Sequence, residues 1–153
     1  MGNQFSRDRS EPRAVGHLAR VTTTSLRTMS DESFVSLTTF RSSGKPVSTP
    51  VWIGREAGDV VILTPLDTGK VKRLRANPRV ELRPCDRRGR VPQDAPCLST
   101  VVEILEQPVE VDRVRGVMRR KYGAEYRIFM VIEALVRRTL RTQRVGLRLG
   151  HVT

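Results

Sequence analysis

The amino-acid sequence predicts a mainly β fold: a small barrel with helices packed on its outside. Three observations predict it. Six short segments alternate or are rich in β-branched residues, tight polar turns separate the early ones, and the clearest helical periodicity comes late. At 153 residues the chain suits one domain with one core. Residues 1–20 are polar and are expected to form a flexible arm, leaving 21–153 as the folded domain.

The strands are read in order. Phe34–Phe40 alternates and carries β-branched residues, and Arg41-Ser42-Ser43-Gly44-Lys45 then turns the chain back. Val47–Ile53 is the second strand. Pro50 cannot donate to a ladder, which places this strand at an edge or at a bulge. Gly54–Gly58 turns into Val60–Thr64, followed by Val80–Cys85, Cys97–Leu105 and Val145–Leu149. The helices lie between these. Thr68–Ala76 ends at Asn77-Pro78, since proline disfavours helix in the residue before it. Asp112–Tyr122 has an aspartate as N-cap and stops at Gly123, with Val114, Val117 and Met118 on one face. Ala124–Arg141 follows, with Phe129, Ile132, Val136 and Leu140 at helical spacing. A short helical piece is expected near Ser25–Arg27 or Asp31–Glu32.

Composition narrows the function. No apolar run reaches membrane-spanning length, and residues 1–20 have no apolar core of a secretory signal, so a cytoplasmic protein without a membrane partner is expected. Cys85 and Cys97 lack metal-ligand spacing and are expected to be reduced core thiols. The net charge of +12 favours anionic partners, although only four of the 28 basic residues are lysines, an arginine bias that genome composition also produces. His17 and His151 sit in the termini without triad partners. Zinc spacing, a GxGxxG and a P-loop are all absent, so no metal is expected and no catalytic side chain is assigned. No aromatic-basic interleaving marks a base-stacking platform, and no specific nucleic-acid partner is expected.

The informative region runs from Thr39 to Asp86. Thr68-Gly69-Lys70 opens a short basic helix, whose first amides and partial positive charge form an anion site to which Lys70, Thr64 and Thr68 can add. The bland reading is equally available here: Thr68 caps the helix and Lys70 is a solvated lysine.

TTFRSSGKPVSTPVW, followed by ILTPLDTGKVKRLRANPRVELRPCDRRGR, resembles the pyridoxamine-phosphate-oxidase-like split barrels, and within them the deazaflavin-dependent branch. The resemblance covers roughly Phe34 to Leu105, with the late helices and VGLRL in family order. It implies a six-stranded split β-barrel, the FMN-binding split barrel, with short flanking helices and a homodimer holding cofactor at its interface. It also implies that Thr49, Pro50, Val51 and Trp52 meet the isoalloxazine-like ring. Leu63, Thr64, Thr68, Gly69 and Lys70 would hold the phosphate and ribityl chain. Lys70, Lys72, Arg73 and Arg41 are placed for the acidic tail of coenzyme F420. Gly69 and Thr49 stand where many FMN-binding relatives carry arginines, and Ser99 or Thr100 where relatives carry a glycine. The implied activity is an F420-dependent oxidoreductase transferring a hydride between reduced deazaflavin and a small organic substrate. The alternatives are an FMN-dependent oxidase or reductase on the same fold, and a non-catalytic cofactor- or nucleic-acid-binding protein.

Overall fold

The computed structural model describes residues 26–136 and 143–150. Its strands are β1 (Val35–Phe40), β2 (Pro46–Val51), β3 (Ile53–Glu56), β4 (Asp59–Pro65), β5 (Arg79–Pro84), β6 (Leu98–Leu105) and β7 (Arg144–Leu149). Helix α1 spans Gly69–Ala76 and α2 spans Pro108–Val136, and a helical turn covers 26–29. Every ladder is antiparallel, in the order β2-β1-β5-β6-β7-β4-β3.

That order explains the shape. β2 and β3 follow each other in the chain with only Trp52 between them, yet they form opposite edges of the sheet. One residue can join two edges only if the sheet curls until they lie close, which makes a partly closed barrel whose edge strands β2 and β3 share no ladder. Here the structure corrects the reading of six strands. Val47–Ile53 ends as a strand at Val51, and Gly54–Glu56, expected as part of a turn, form β3 with Ile53, because at Trp52 the chain stops pairing with β1 and begins pairing with β4; only Ala57 and Gly58 remain as turn. Pro50 lies opposite Ser36 on the edge strand β2, where its missing N–H costs no ladder bond.

Period-2 alternation sorts the side chains into two layers. Val35, Leu37, Ile53, Val60, Ile62, Val80, Leu82, Leu147 and Leu149 fill the barrel with Leu26, Met29 and Leu74. The opposite parity at Val61 faces outward and packs with Leu105, Val114, Val117, Met118, Tyr122 and Tyr126, with Trp52 and Leu63 at the margin. Two glycines permit this helix-on-sheet contact. A Cβ on Gly54 would lie 2.5 Å from Val117 Cγ1, and one on Gly146 3.0 Å from Val114 Cγ2.

Four other expectations are revised. α2 begins at Pro108, not at Asp112; proline suits the first helical position because its absent N–H would be unpaired there anyway. Gly123 does interrupt the helix, at φ 51 and ψ −119, but the chain resumes helical geometry at once. Neither thiol is a core thiol: Cys97 is exposed and Cys85 half-buried, with burial, then the nearby Asp86 and Glu32 charges, raising the Cys85 pKa. Ile132 is exposed rather than core-facing, while the side chains of Phe129, Val136 and Leu140 lie outside the described residues, as do the arm 1–20, His17, His151 and residues 137–142. No helix among the described residues is long and apolar enough to cross a membrane.

Candidate cofactor cleft

A cleft of about 820 Å3 opens where β2 hands over to β3. Trp52 lies in its wall because the edge-to-edge crossing leaves this side chain outside both ladders. Its ring stacks on Tyr122 at 4.7 Å between centroids and 15° between planes, and meets Tyr126 at 5.7 Å. Phe34, Pro50, Val51, Leu63, Ile128 and Ile132 extend the apolar lining.

The wall behind Trp52 is fixed from α2. Lys121 Nζ donates to the carbonyls of Ser30, Glu32 and Ile53 at 2.7, 2.6 and 2.7 Å, one for each ammonium hydrogen. Burial holds its pKa below the ordinary lysine value. The Tyr122 hydroxyl accepts from the Ile53 amide at 3.0 Å and donates toward the Ser33 carbonyl at 2.8 Å; burial pushes its pKa up to about 12. The bend at 30–33 is thereby tied to β3 and leaves Ser33 and Phe34 lining the cleft.

The polar end is made by β4, α1 and β7. The Thr64 hydroxyl is buried and has no hydrogen-bond partner among the described residues, although the residue lines the cleft. Such an orphan costs about 1–3 kcal/mol until something satisfies it. Thr68 is the N-cap residue of α1, but its hydroxyl donates backward to the Pro65 carbonyl at 3.1 Å and caps nothing, and the first turn holds no acidic residue. Lys70 also lines the cleft and pairs with no carboxylate among the described residues. Burial, then the neighbouring Arg73 charge, holds its pKa below 10.5. A half-buried ammonium, an orphan hydroxyl and an uncapped helix start are complementary to a phosphate.

The opposite rim carries Arg87. Asp86 Oδ1 accepts from the amides of Arg88 and Arg90 at 2.8 and 2.9 Å, and these bonds, foremost that from Arg90, hold its carboxyl below the usual range. Gly89, at φ 85, seats this turn against Pro50, and Arg87 joins the lining. With Lys70 and Arg144, three cations line the cleft against one carboxylate, Glu125, among the described residues.

The family model for pyridoxamine 5'-phosphate oxidase matches residues 23–147. The chain belongs to this family. Its split-barrel fold recurs in solved structures of low identity. A conserved hypothetical protein of Mycobacterium tuberculosis is 23% identical, with 94% of this chain and 84% of that one covered and a TM-score of 0.54. HutZ, the heme storage protein of Vibrio cholerae, is 16% identical over 85% and 89%, with a TM-score of 0.57. An F420 reductase is 16% identical over 83% and 93%, with a TM-score of 0.52. Among curated proteins no match is found.

Within this member of the pyridoxamine 5'-phosphate oxidase family, the cleft gathers Pro50, Val51, Trp52, Leu63, Thr64, Thr68 and Lys70 from the residues read out of the sequence. It does not gather Thr49, Gly69 or Arg73. Thr49 sits mid-strand opposite Leu37. The Arg73 guanidinium folds back over Gly69, 2.8 Å from where a Cβ would stand, and its Nε donates to the buried Thr39 hydroxyl at 2.8 Å. Arg87, Glu125, Tyr126 and Arg144 were not legible as site residues. The one local signal is the four-residue spacing of Tyr122 and Tyr126, which places both on one helix face.

Proposed function

We propose that the protein is a flavin- or deazaflavin-dependent oxidoreductase that uses coenzyme F420 as its hydride carrier and works as a homodimer. The observation that carries the reading is the pairing, in one cleft, of an aromatic wall at Trp52 with the Thr64 hydroxyl and the Lys70 ammonium, the first without a hydrogen-bond partner and the second without a carboxylate partner among the described residues. The residues present fit such a cofactor: Trp52, Pro50 and Leu63 offer apolar surface to a planar ring, and Thr64, Lys70 and the start of α1 offer donors to its phosphate. When bound, the cofactor supplies the hydride chemistry. The protein binds, orients and screens it from water, with Arg87 and Arg144 adding positive charge.

FMN on the same site is the second reading. Gly69 and Thr49 in place of arginines favour the deazaflavin, while the Arg73 guanidinium lying over Gly69 favours FMN by returning an arginine to that turn. Fluorescence titration separates them. F420 is expected to bind at least about tenfold tighter than FMN, or 1.4 kcal/mol; equal or reversed affinities select FMN. Lys70→Ala is expected to weaken either phosphorylated cofactor about 10- to 150-fold, the range for one charge-assisted hydrogen bond, and to leave riboflavin binding unchanged. Parent-like binding by this variant would remove the phosphate assignment.

A further inference from the structure

Gly123 divides α2 into halves that are held very differently. It stands at φ 51 and ψ −119, outside the helical and the left-handed regions, where an L side chain rarely goes. A Cβ built there would meet nothing within 4 Å. Glycine is thus required at this position by backbone conformation and not by close packing. Upstream, Lys121 and Tyr122 tie the helix to the backbone of Ser30, Glu32, Ser33 and Ile53. Downstream, Glu125, Tyr126 and Arg127 make no side-chain hydrogen bond or ion pair among the described residues. Tyr126 rests against Trp52, while Ile128 and Ile132 line the cleft and are still 60% and 55% exposed.

We propose that the second half of α2, residues 124–136, is a lid hinged at Gly123 that closes over the filled cleft. A glycine at a helix break passes between backbone states that other residues do not reach, so the swing is concentrated in one residue. Closure is driven by water leaving Ile128 and Ile132, which stay wet until a ligand gives them a surface to pack on. Lys121 and Tyr122 keep the barrel side of the hinge in place during the swing. Val131 is not part of the cleft lining and stays available to a second copy in either position. The hinge stands on the backbone geometry, and the identity of the ligand rests on the cofactor reading.

Hydrogen exchange read by mass spectrometry on the full chain tests the lid. In the free protein, amides of 124–136 are expected to exchange at least about tenfold faster than those of 114–122. Saturating FMN or F420 is expected to slow 124–136 about tenfold and to leave 114–122 unchanged. The apolar anion 1-anilinonaphthalene-8-sulfonate, which carries no phosphate, should slow the same segment at least about threefold. Gly123→Ala favours an unbroken helix and carries the lid off the cleft. Its FMN release is expected to quicken about tenfold, with association within about twofold of the parent. The Ile128→Ser, Ile132→Ser double variant keeps the hinge and should show the same faster release, whether or not Gly123→Ala folds. Exchange at 124–136 no faster than at 114–122, or unslowed by every one of the three ligands, overturns the lid. Slowed association in either variant marks a rigid wall and overturns it as well. A parent that binds neither FMN nor F420 but is protected at 124–136 by the sulfonate overturns the cofactor reading alone.

Discussion

Lys70 links burial, charge and ligand at the scale of one residue. Its folded pKa lies below 10.5, so between the two values the unfolded chain binds more protons than the folded one. Stability of the cofactor-free protein therefore gains from Lys70 as pH rises through the lowered value. Affinity for a phosphate moves the other way, because the ammonium that attracts it is lost over the same range. Urea midpoints and FMN dissociation constants measured across alkaline pH are expected to show these opposed trends. Lys70→Met should flatten both, and parallel trends in the parent would show that Lys70 does not face the anion. Lys72, two residues on and exposed, should contribute to neither.

At the scale of elements, α2 does two jobs on either side of Gly123. Before the break, Val114, Val117 and Met118 seal the outer face of the sheet; after it, Tyr126, Ile128 and Ile132 line the cleft. Lys121 and Tyr122 fasten the junction. Lys121→Met leaves three carbonyls without their donor and is expected to cost about 2 kcal/mol, read as a lowered urea midpoint with unchanged slope. A loss below about 0.5 kcal/mol would make the clamp a surface contact. The sequence disclosed much of this layer and not all of it. Alternation located six of the seven strands within a residue or two, since each has one face in the barrel and one outside, but it left Gly54–Glu56 of β3 as a turn. It ran straight through Trp52, because the edge change is decided by which partner strand lies alongside, a property of the whole sheet. Pro108 was a readable helix start overshadowed by the more familiar Asp112. Residues 49–70 carried half of the cleft because they are contiguous. Arg87, Tyr126 and Arg144 reach it only by folding, from a turn, a helix and a strand up to about 90 residues away.

For the whole molecule, the exposed row Ile128, Val131 and Ile132, at 60%, 58% and 55% exposure, matters most. These residues recur at helical spacing and two of them line the open cleft. A second copy packed on this row would bury it and complete the cleft wall, which is the dimer we propose. Light scattering at micromolar concentration with cofactor present is expected to give a dimer mass. Val131→Asp should yield a monomer and weaken FMN or F420 binding by about tenfold or more. A parent that remains monomeric would remove the dimer.

Trp52 closes the barrel and also walls the cleft, so the two tasks cannot drift independently. A substitution there that reshapes the cleft also disturbs the only covalent step between the two edges of the sheet. The second half of α2 and the turn at 86–90 carry no such double duty. A lineage built on this plan could change its substrate through those two segments while the Trp52 crossing stayed as it is, and laboratory diversification of the cleft is best aimed at the same places.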